Sequence, residues 1–266
     1  MTASDIRLVH GDCLQVMPML EDRSVDMILA DLPYGTTNCS WDIRIPFEPL
    51  WAQYKRLIKP RGAIVLFGSQ PFTTLLISSN MAWFKYCWVW EKSRVTGMLH
   101  AKNMPLKNHE DIAVFSSGVV NHESVSNNRM MYFPQLWRGR RYVKRQVNAN
   151  VSGKGAYHGG ASADAFAGTV SINSGFRLPT TSVYFEQGNH NPSHPNEKPT
   201  ALLEYLIRTY TSTGETVMDN TMGSGSTMVA CINAERNGIG IEMDATYYET
   251  ANRRVAAAQA QLRLPL

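Results

Sequence analysis

Two apolar runs each end in an acid followed by a stiff or glycine-rich turn. Val25-Asp26-Met27-Ile28-Leu29-Ala30 delivers Asp31-Leu32-Pro33-Tyr34, and Thr216-Val217-Met218 delivers Asp219-Asn220-Thr221-Met222-Gly223-Ser224-Gly225-Ser226-Thr227. Ligands of open α/β sheets bind just beyond the carboxyl ends of strands, so both acids are expected on one edge. At the first, Asp31 can accept a hydrogen bond from an amine, Pro33 stiffens the turn, and Tyr34 can stack on a ring. That pairing suits a planar base carrying an amino group. At the second, Gly223 and Gly225 let the backbone approach a ligand, and the start of a helix offers free N–H groups. Glu242 ends the next apolar run, where an acid can bond ribose hydroxyls.

The second turn therefore suits a nucleoside-containing cofactor, although a tight strand-to-helix turn without ligand has the same local pattern. It is not a P-loop, since no Gly-Lys-Ser/Thr follows, and Met228 stands where a dinucleotide fingerprint needs its third glycine. The Asp219 carboxylate would repel a pyrophosphate but can hold an ammonium, which favours a cofactor with a methionine-like part.

The elements that must position these residues alternate. Strands are expected at Ile6–His10, Val25–Ala30, 63–67, 84–90, 111–115, Thr216–Asp219 and 238–241. Helices are expected at 14–20, 47–58 (ended by Pro60), Phe72–Ser79, Thr200–Tyr210, 226–237 and Ala245–Leu262. This order predicts a mostly parallel sheet with helices on both faces. The alternation fails between about Ser116 and Thr181, which is rich in Ser, Gly, Asn and Ala. We divide the chain into 1–116, an insert at 117–180, and 181–266 of the same α/β domain.

The 266 residues carry a net charge of +4, and its distribution matters more than its size. No Asp or Glu occurs between Ser124 and Ala163, where Arg129, Arg138, Arg140, Arg141, Lys144, Arg145 and Lys154 mix with Tyr132, Phe133, Trp137 and Tyr142. Such a segment suits contact with a phosphate backbone, with a solvated loop as the plainer alternative. The glycine-rich part, 153–175, is expected to settle only on binding. The four cysteines, Cys13, Cys39, Cys87 and Cys231, are scattered and read as free thiols, and the histidines form no ligand spacing, so no metal is expected. No apolar run is long enough to span a bilayer, and residues 1–10 lack a secretory layout, which predicts a cytoplasmic protein. The alternating Trp83, Phe84, Tyr86, Trp88 and Trp90 read as core, and His109-Glu110 as structural.

Taken together, these motifs resemble those of amino-methylating DNA methyltransferases. Asp31-Leu32-Pro33-Tyr34 looks like their D-P-P-Y catalytic motif, and residues 219–227 like their cofactor motif, D-P-F-x-G-S-G-T-T. His194-Pro195-Asn196-Glu197-Lys198-Pro199-Thr200 looks like the H-P-x-x-K-P segment before it. Gly11-Asp12 resembles the early acid that contacts the cofactor's adenine. The order, catalytic motif before cofactor motif, resembles the β group, and stretches 31–42 and 61–72 resemble phage and prophage members.

The resemblance implies a Rossmann-like methyltransferase fold with an inserted target-recognition region. It implies S-adenosylmethionine as cofactor and double-stranded DNA as substrate, with methyl transfer to N6 of a flipped-out adenine. Catalysis would fall to Asp31, the Leu32 carbonyl, Pro33 and Tyr34. Cofactor contacts would come from Asp12, Cys13, Lys198, Pro199, Thr200, Asp219, Asn220, Gly223, Ser224, Gly225, Ser226, Thr227 and Glu242. DNA contacts would come from Arg138, Arg140, Arg141, Lys144 and Arg145, and His194 is read as structural. Leu32 replaces a proline, and Asn220-Thr221 replace Pro-Phe, which removes an aromatic contact to the cofactor. N4-methylation of cytosine uses the same architecture and is the nearest alternative; an initial Asp leans to adenine. A nicotinamide-dependent oxidoreductase is opposed by Met228 and by the 31–34 motif. A DNA-binding module without catalysis is opposed by the intact acid, proline and glycines. The resemblance allows a homodimer and leaves open whether a restriction nuclease accompanies the chain.

Overall fold

The structure is a computed structural model that describes residues 4–35, 42–120, 127–145, 170–187 and 197–262. Two compact units divide the chain: Met1–Phe133 with Thr180–Leu266, and Pro134–Pro179.

The first unit holds an eight-stranded sheet. Its strands are β1 (Ile6–His10), β2 (Val25–Ala30), β3 (Ile58–Gly68), β4 (Phe84–Thr96), β5 (Lys107–Phe115), β10 (Ser182–Phe185), β11 (Thr216–Asp219) and β12 (Asn237–Glu242). They lie in the order β1-β12-β11-β2-β3-β5-β4-β10. Neighbours are parallel except β5, which runs antiparallel to both β3 and β4. The sheet is therefore mostly parallel, as the alternation of elements implies.

Side chains alternate across each strand, so one strand feeds two cores. In β2, Met27 and Leu29 join the core that takes Leu202, Leu206 and Tyr210 of α4 (Thr200–Tyr210), Cys231 of α5 (Ser226–Asn233) and Ala251 of α6 (Ala245–Leu262). Ile28 and Ala30 face the core that takes Val16 of α1 (Cys13–Val16), Leu50 and Tyr54 of α2 (Phe47–Leu57) and Phe72 of α3 (Phe72–Ser79). Trp88 and Trp90 are buried and donate through their indole N–H to the Tyr210 hydroxyl and the Phe185 carbonyl, at 2.6 and 3.0 Å. The alternating aromatics of β4 thus serve packing.

Several boundaries differ from the sequence expectation. α2 ends at Leu57, and Ile58 is extended and pairs with Val25. The residue before Pro60 avoids helical geometry, so the chain leaves the helix earlier than the proline itself. The expected helix 14–20 is α1 followed by a 3₁₀ turn, Met17–Met19, because Pro18 cannot donate into an α-helical ladder. α5 stops at Asn233, where Glu235 turns left-handed (φ 59°) and releases Asn237 into β12. β4 and β5 run well past their expected ends and form a long hairpin.

The second unit is more regular than its composition suggests. β6 (Trp137–Arg138) pairs antiparallel with β9 (Phe176–Arg177), and β7 (Tyr142–Arg145) with β8 (Val170–Asn173). The Arg177 guanidinium lies 4.8 Å from the centre of the Tyr142 ring. Arg138, Arg140 and Arg141 are exposed. Residues 117–120 and 127–133, expected in the insert, group with the first unit: Met131 donates to the Arg61 carbonyl at 3.0 Å, and the Arg61 side chain to the Arg129 carbonyl at 2.7 Å. Residues 146–169, including Lys154 and most of the glycine-rich stretch, lie outside the described residues, as do Cys39 and His194.

Candidate active site

The sheet order places β1, β12, β11 and β2 side by side and parallel, so Asp12, Glu242, Asp219 and Asp31 emerge along one edge. They line a cavity of about 670 Å³, within the range of small-molecule sites. Its wall also carries Cys13, residues 32–34, Lys198, Asn220, Gly223, Ser224, Ser226 and Thr227. Pro199, Thr200 and Gly225 stand outside the lining: Pro199 and Thr200 open α4, and Gly225 caps α5.

At the β2 end of the cavity, both Asp31 oxygens are engaged. Oδ1 accepts from the Tyr34 hydroxyl at 2.8 Å, and Oδ2 from Lys198 Nζ at 2.6 Å. Thr221 Oγ1 donates to the Asp31 backbone carbonyl at 3.0 Å and so ties the turn after β11 to the turn after β2. One side of the Tyr34 ring stacks on Phe72, centroids 4.7 Å apart. Burial, then the Asp31 charge, pushes the Tyr34 phenol well up, so it stays a donor.

Lys198, expected among the cofactor contacts, lines the cavity and is bound into a charge chain. Its ammonium meets Asp31, meets Glu110 Oε2 at 3.2 Å, and sits 5.1 Å from the centre of the Phe67 ring. Glu110 Oε1 pairs with Lys92. Burial lowers the pKa of this lysine, but Asp31 and Glu110 outweigh it and raise the pKa above the usual value. For Glu110, burial is likewise outweighed by Lys198 and Lys92, and its pKa falls. Glu110 thus lies inside β5 at the cavity wall, next to Lys198.

At the cofactor end, most expected contacts shape the turn itself. Thr227 Oγ1 donates to Asp219 Oδ2 at 2.6 Å, and the Thr221 amide to Oδ1 at 3.1 Å. Ser226 Oγ donates to Glu197 at 2.8 Å, and Arg254 from α6 clamps Glu197 and Ser224 at 2.5 and 2.6 Å. Glu242 accepts from the Gly223 and Asp244 amides, both at 2.8 Å, and Asp12 caps α1 through the Leu14 amide at 2.8 Å. A carboxylate oxygen has two lone pairs, so these acids can still accept from a ligand.

Two features fit a ligand. Asn220 Nδ2 is buried on the cavity wall with no hydrogen-bond partner among the described residues, while Tyr54 donates to its Oδ1. A Cβ at Gly223 would meet nothing within 4 Å, whereas one at Gly225 (φ +82°) would strike Ala251. The first glycine therefore leaves ligand space open, and the second lets α6 pack close.

Burial raises the Asp219 pKa to about 7; its two hydrogen bonds oppose this and the charges of Asp31 and Glu242 add to it. A raised carboxylate pKa means that Asp219 holds its proton below pH 7 and weakens the free fold as pH rises through that value. A ligand cation beside it needs the ionised form. Cofactor affinity should therefore weaken as pH falls from 7, by up to about tenfold per unit, and level off just above 7. Calorimetric titration with S-adenosylmethionine between pH 5.5 and 7.5 checks this, and a flat profile would leave Asp219 without a cation to hold.

Sequence reasoning missed Tyr54, Glu110, Glu197, Thr221 and Arg254, all polar groups whose partners lie on other elements. Burial pushes up the thiols of Cys13, Cys87 and Cys231, in agreement with unreactive cysteines. Among the described residues no group of three His, Cys, Asp or Glu could hold a metal, and no helix is long and apolar enough to cross a membrane.

Comparison with known proteins adds to this geometry. The N6_N4_Mtase family model, described as DNA methylase, matches residues 25–253. The Type II methyltransferase M.HpaI of Haemophilus parainfluenzae is 25% identical over 264 residues, 94% of this chain and 74% of that protein. Among solved structures, the M1.HpyAVI–SAM complex superposes with TM-score 0.59 at 21% identity, covering 94% of this chain and 99% of that one. The cytosine-N4-specific PvuII DNA methyltransferase gives TM-score 0.62 at 12% identity, covering 98% and 93%. At these identities the structural likeness speaks for the fold, which is Rossmann-like.

Proposed function

This chain belongs to the family of DNA methylases that move a methyl group from S-adenosylmethionine to an amino nitrogen of adenine or cytosine, and on that premise we propose that its target is N6 of adenine. The observation that carries the reading is Asp31. It stands at the carboxyl edge with Tyr34 on one oxygen and Lys198 on the other, over the cavity that also holds Asp219 and Glu242.

The cofactor, when bound, supplies an activated methyl group on a sulfonium. The chain must bring a weakly nucleophilic amine in line with it. Asp31 and the Leu32 carbonyl accept the amine's hydrogen bonds and localise its lone pair. Tyr34 offers a ring to stack on. Asp219 holds the cofactor's ammonium, Glu242 accepts from its ribose, Asp12 lies on its adenine side, and Asn220 Nδ2 donates into the same space. A base inside a duplex cannot reach this cavity, so the adenine is flipped out.

In this reading the second unit, Pro134–Pro179, recognises the target, with Arg138, Arg140, Arg141, Lys144 and Arg145 on DNA. The order of the two motifs, 31–34 before 219–227, supports the β group. The test is mass spectrometry of digested DNA from cells expressing the chain, which should show N6-methyladenine accumulating. N4-methylcytosine in its place would move the target to cytosine, as in the PvuII enzyme, and leave the family intact.

A further inference from the structure

The hairpin formed by β4 and β5 extends beyond the sheet at the edge that bears the active site. Gly68, the last residue of β3, pairs with Asp111, and the hairpin continues outward through Trp90 opposite Glu110 and Thr96 opposite Lys107. Its tip is built from defined turns. Gly97 turns left-handed (φ +90°), a 3₁₀ turn follows at Met98–His100, and the Asn103 and Met104 amides bond back to the His100 carbonyl at 2.8 and 3.0 Å.

This tip is apolar and basic at once. Leu99 is 97% exposed, Met98 68%, and Val95 and Met104 50% each. No acid occurs between Glu91 and Glu110. Arg94, Lys102 and Lys107 are exposed and, among the described residues, pair with no carboxylate. The root of the same hairpin carries Lys92 and Glu110, which reach Asp31 through Lys198. An exposed apolar turn on a hydrogen-bonded ribbon is unfavourable in water unless something covers it. Cations at the tip that pair with no carboxylate among the described residues favour a polyanion as that partner.

We infer that the tip of the β4–β5 hairpin is a second DNA-contacting element. Arg94, Lys102 and Lys107 hold phosphates beside the target, and Met98 with Leu99 press against the base stack where the target leaves it. Apolar side chains inserted at a base step offset the cost of unstacking, and cations beside phosphates release counterions. The inference rests on the DNA-methylase reading.

Two variants test it, Met98→Ser/Leu99→Ser and Arg94→Gln/Lys102→Gln/Lys107→Gln, both at exposed positions remote from the core. Binding to a random-sequence 30-base-pair duplex is measured across a salt series. Methylation is measured on a duplex carrying the site located by modified-base sequencing, with the target either paired or opposite an abasic position. The charge variant should flatten the log–log salt slope by about one unit for each phosphate that the replaced cations held. The serine variant should methylate the paired target about tenfold more slowly, recover most of that opposite the abasic position, and keep its cofactor affinity. An unchanged salt slope together with an unchanged rate on paired DNA overturns the inference. So does a dimer, seen by sedimentation equilibrium, that the serine variant dissolves while its DNA behaviour stays wild type; the tip would then cover a second copy. If wild type neither binds S-adenosylmethionine nor methylates any DNA, the methylase reading has failed, which the variants alone would not show.

Discussion

Asp31→Ala should lose methyl transfer by about a thousandfold or more while S-adenosylmethionine binds with nearly unchanged affinity. The Asp31 carboxylate faces the cavity at the β2 end, whereas the turn that would hold the cofactor follows β11. Truncation removes the acceptor for the target amine and frees the Tyr34 hydroxyl. It does not strand Lys198, which keeps Glu110 at 3.2 Å, so the fold should survive. Asp31→Asn is the companion variant, since it keeps the shape and an oxygen for Lys198 but loses the charge. Single-turnover transfer and cofactor titration, run in parallel, separate the two functions. Activity near wild type in both variants would remove Asp31 from catalysis. A matching loss of cofactor affinity would place it on the wrong ligand.

Lys198→Met should lower kcat by about a hundredfold with little change in the dissociation constant for S-adenosylmethionine. The ammonium already meets the Asp31 carboxylate, the Glu110 carboxylate and the face of Phe67. Two carboxylates and an aromatic face thus hold the ammonium against the Asp31 side of the cavity. Its loss lets Asp31 swing and leaves two acids, Asp31 and Glu110, near one another with Lys92 alone to balance them. A misplaced acceptor hurts the transition state more than binding, so the split between kcat and KM distinguishes positioning from cofactor contact. Lys198→Arg should restore part of kcat, because a guanidinium can still bridge two carboxylates. The opposite split, weak cofactor binding with normal kcat, would return Lys198 to the cofactor side.

Local chain properties determine much of this protein. Apolar runs that stop at Asp31, Asp219 and Glu242 mark strands whose ends become the site, because a strand buried on both faces needs a continuous apolar stretch. Pro33 announces a turn through backbone restriction, and Gly223 and Gly225 through the backbone freedom that their positive φ needs, effects that act within a few residues. These signals are enough for the sheet type, the motif order and the acids and turns at the cavity wall. The family resemblance rests on the same short segments.

The partners of the site's polar groups are another matter. Lys198 meets Asp31 across 167 positions in the chain, and Tyr54 meets Asn220 across 166. Glu110 reaches that cluster because β5 enters the sheet between β3 and β4, antiparallel, and so brings its early residues to the carboxyl edge. A lysine just ahead of a helix looks much the same in sequence whether its ammonium faces a ligand or a carboxylate. What decides is the burial that makes an unpaired charge costly and the strand order that sets which opposite charge lies within reach. Periodicity carries the first kind of information along the chain; the second exists only once the sheet is assembled.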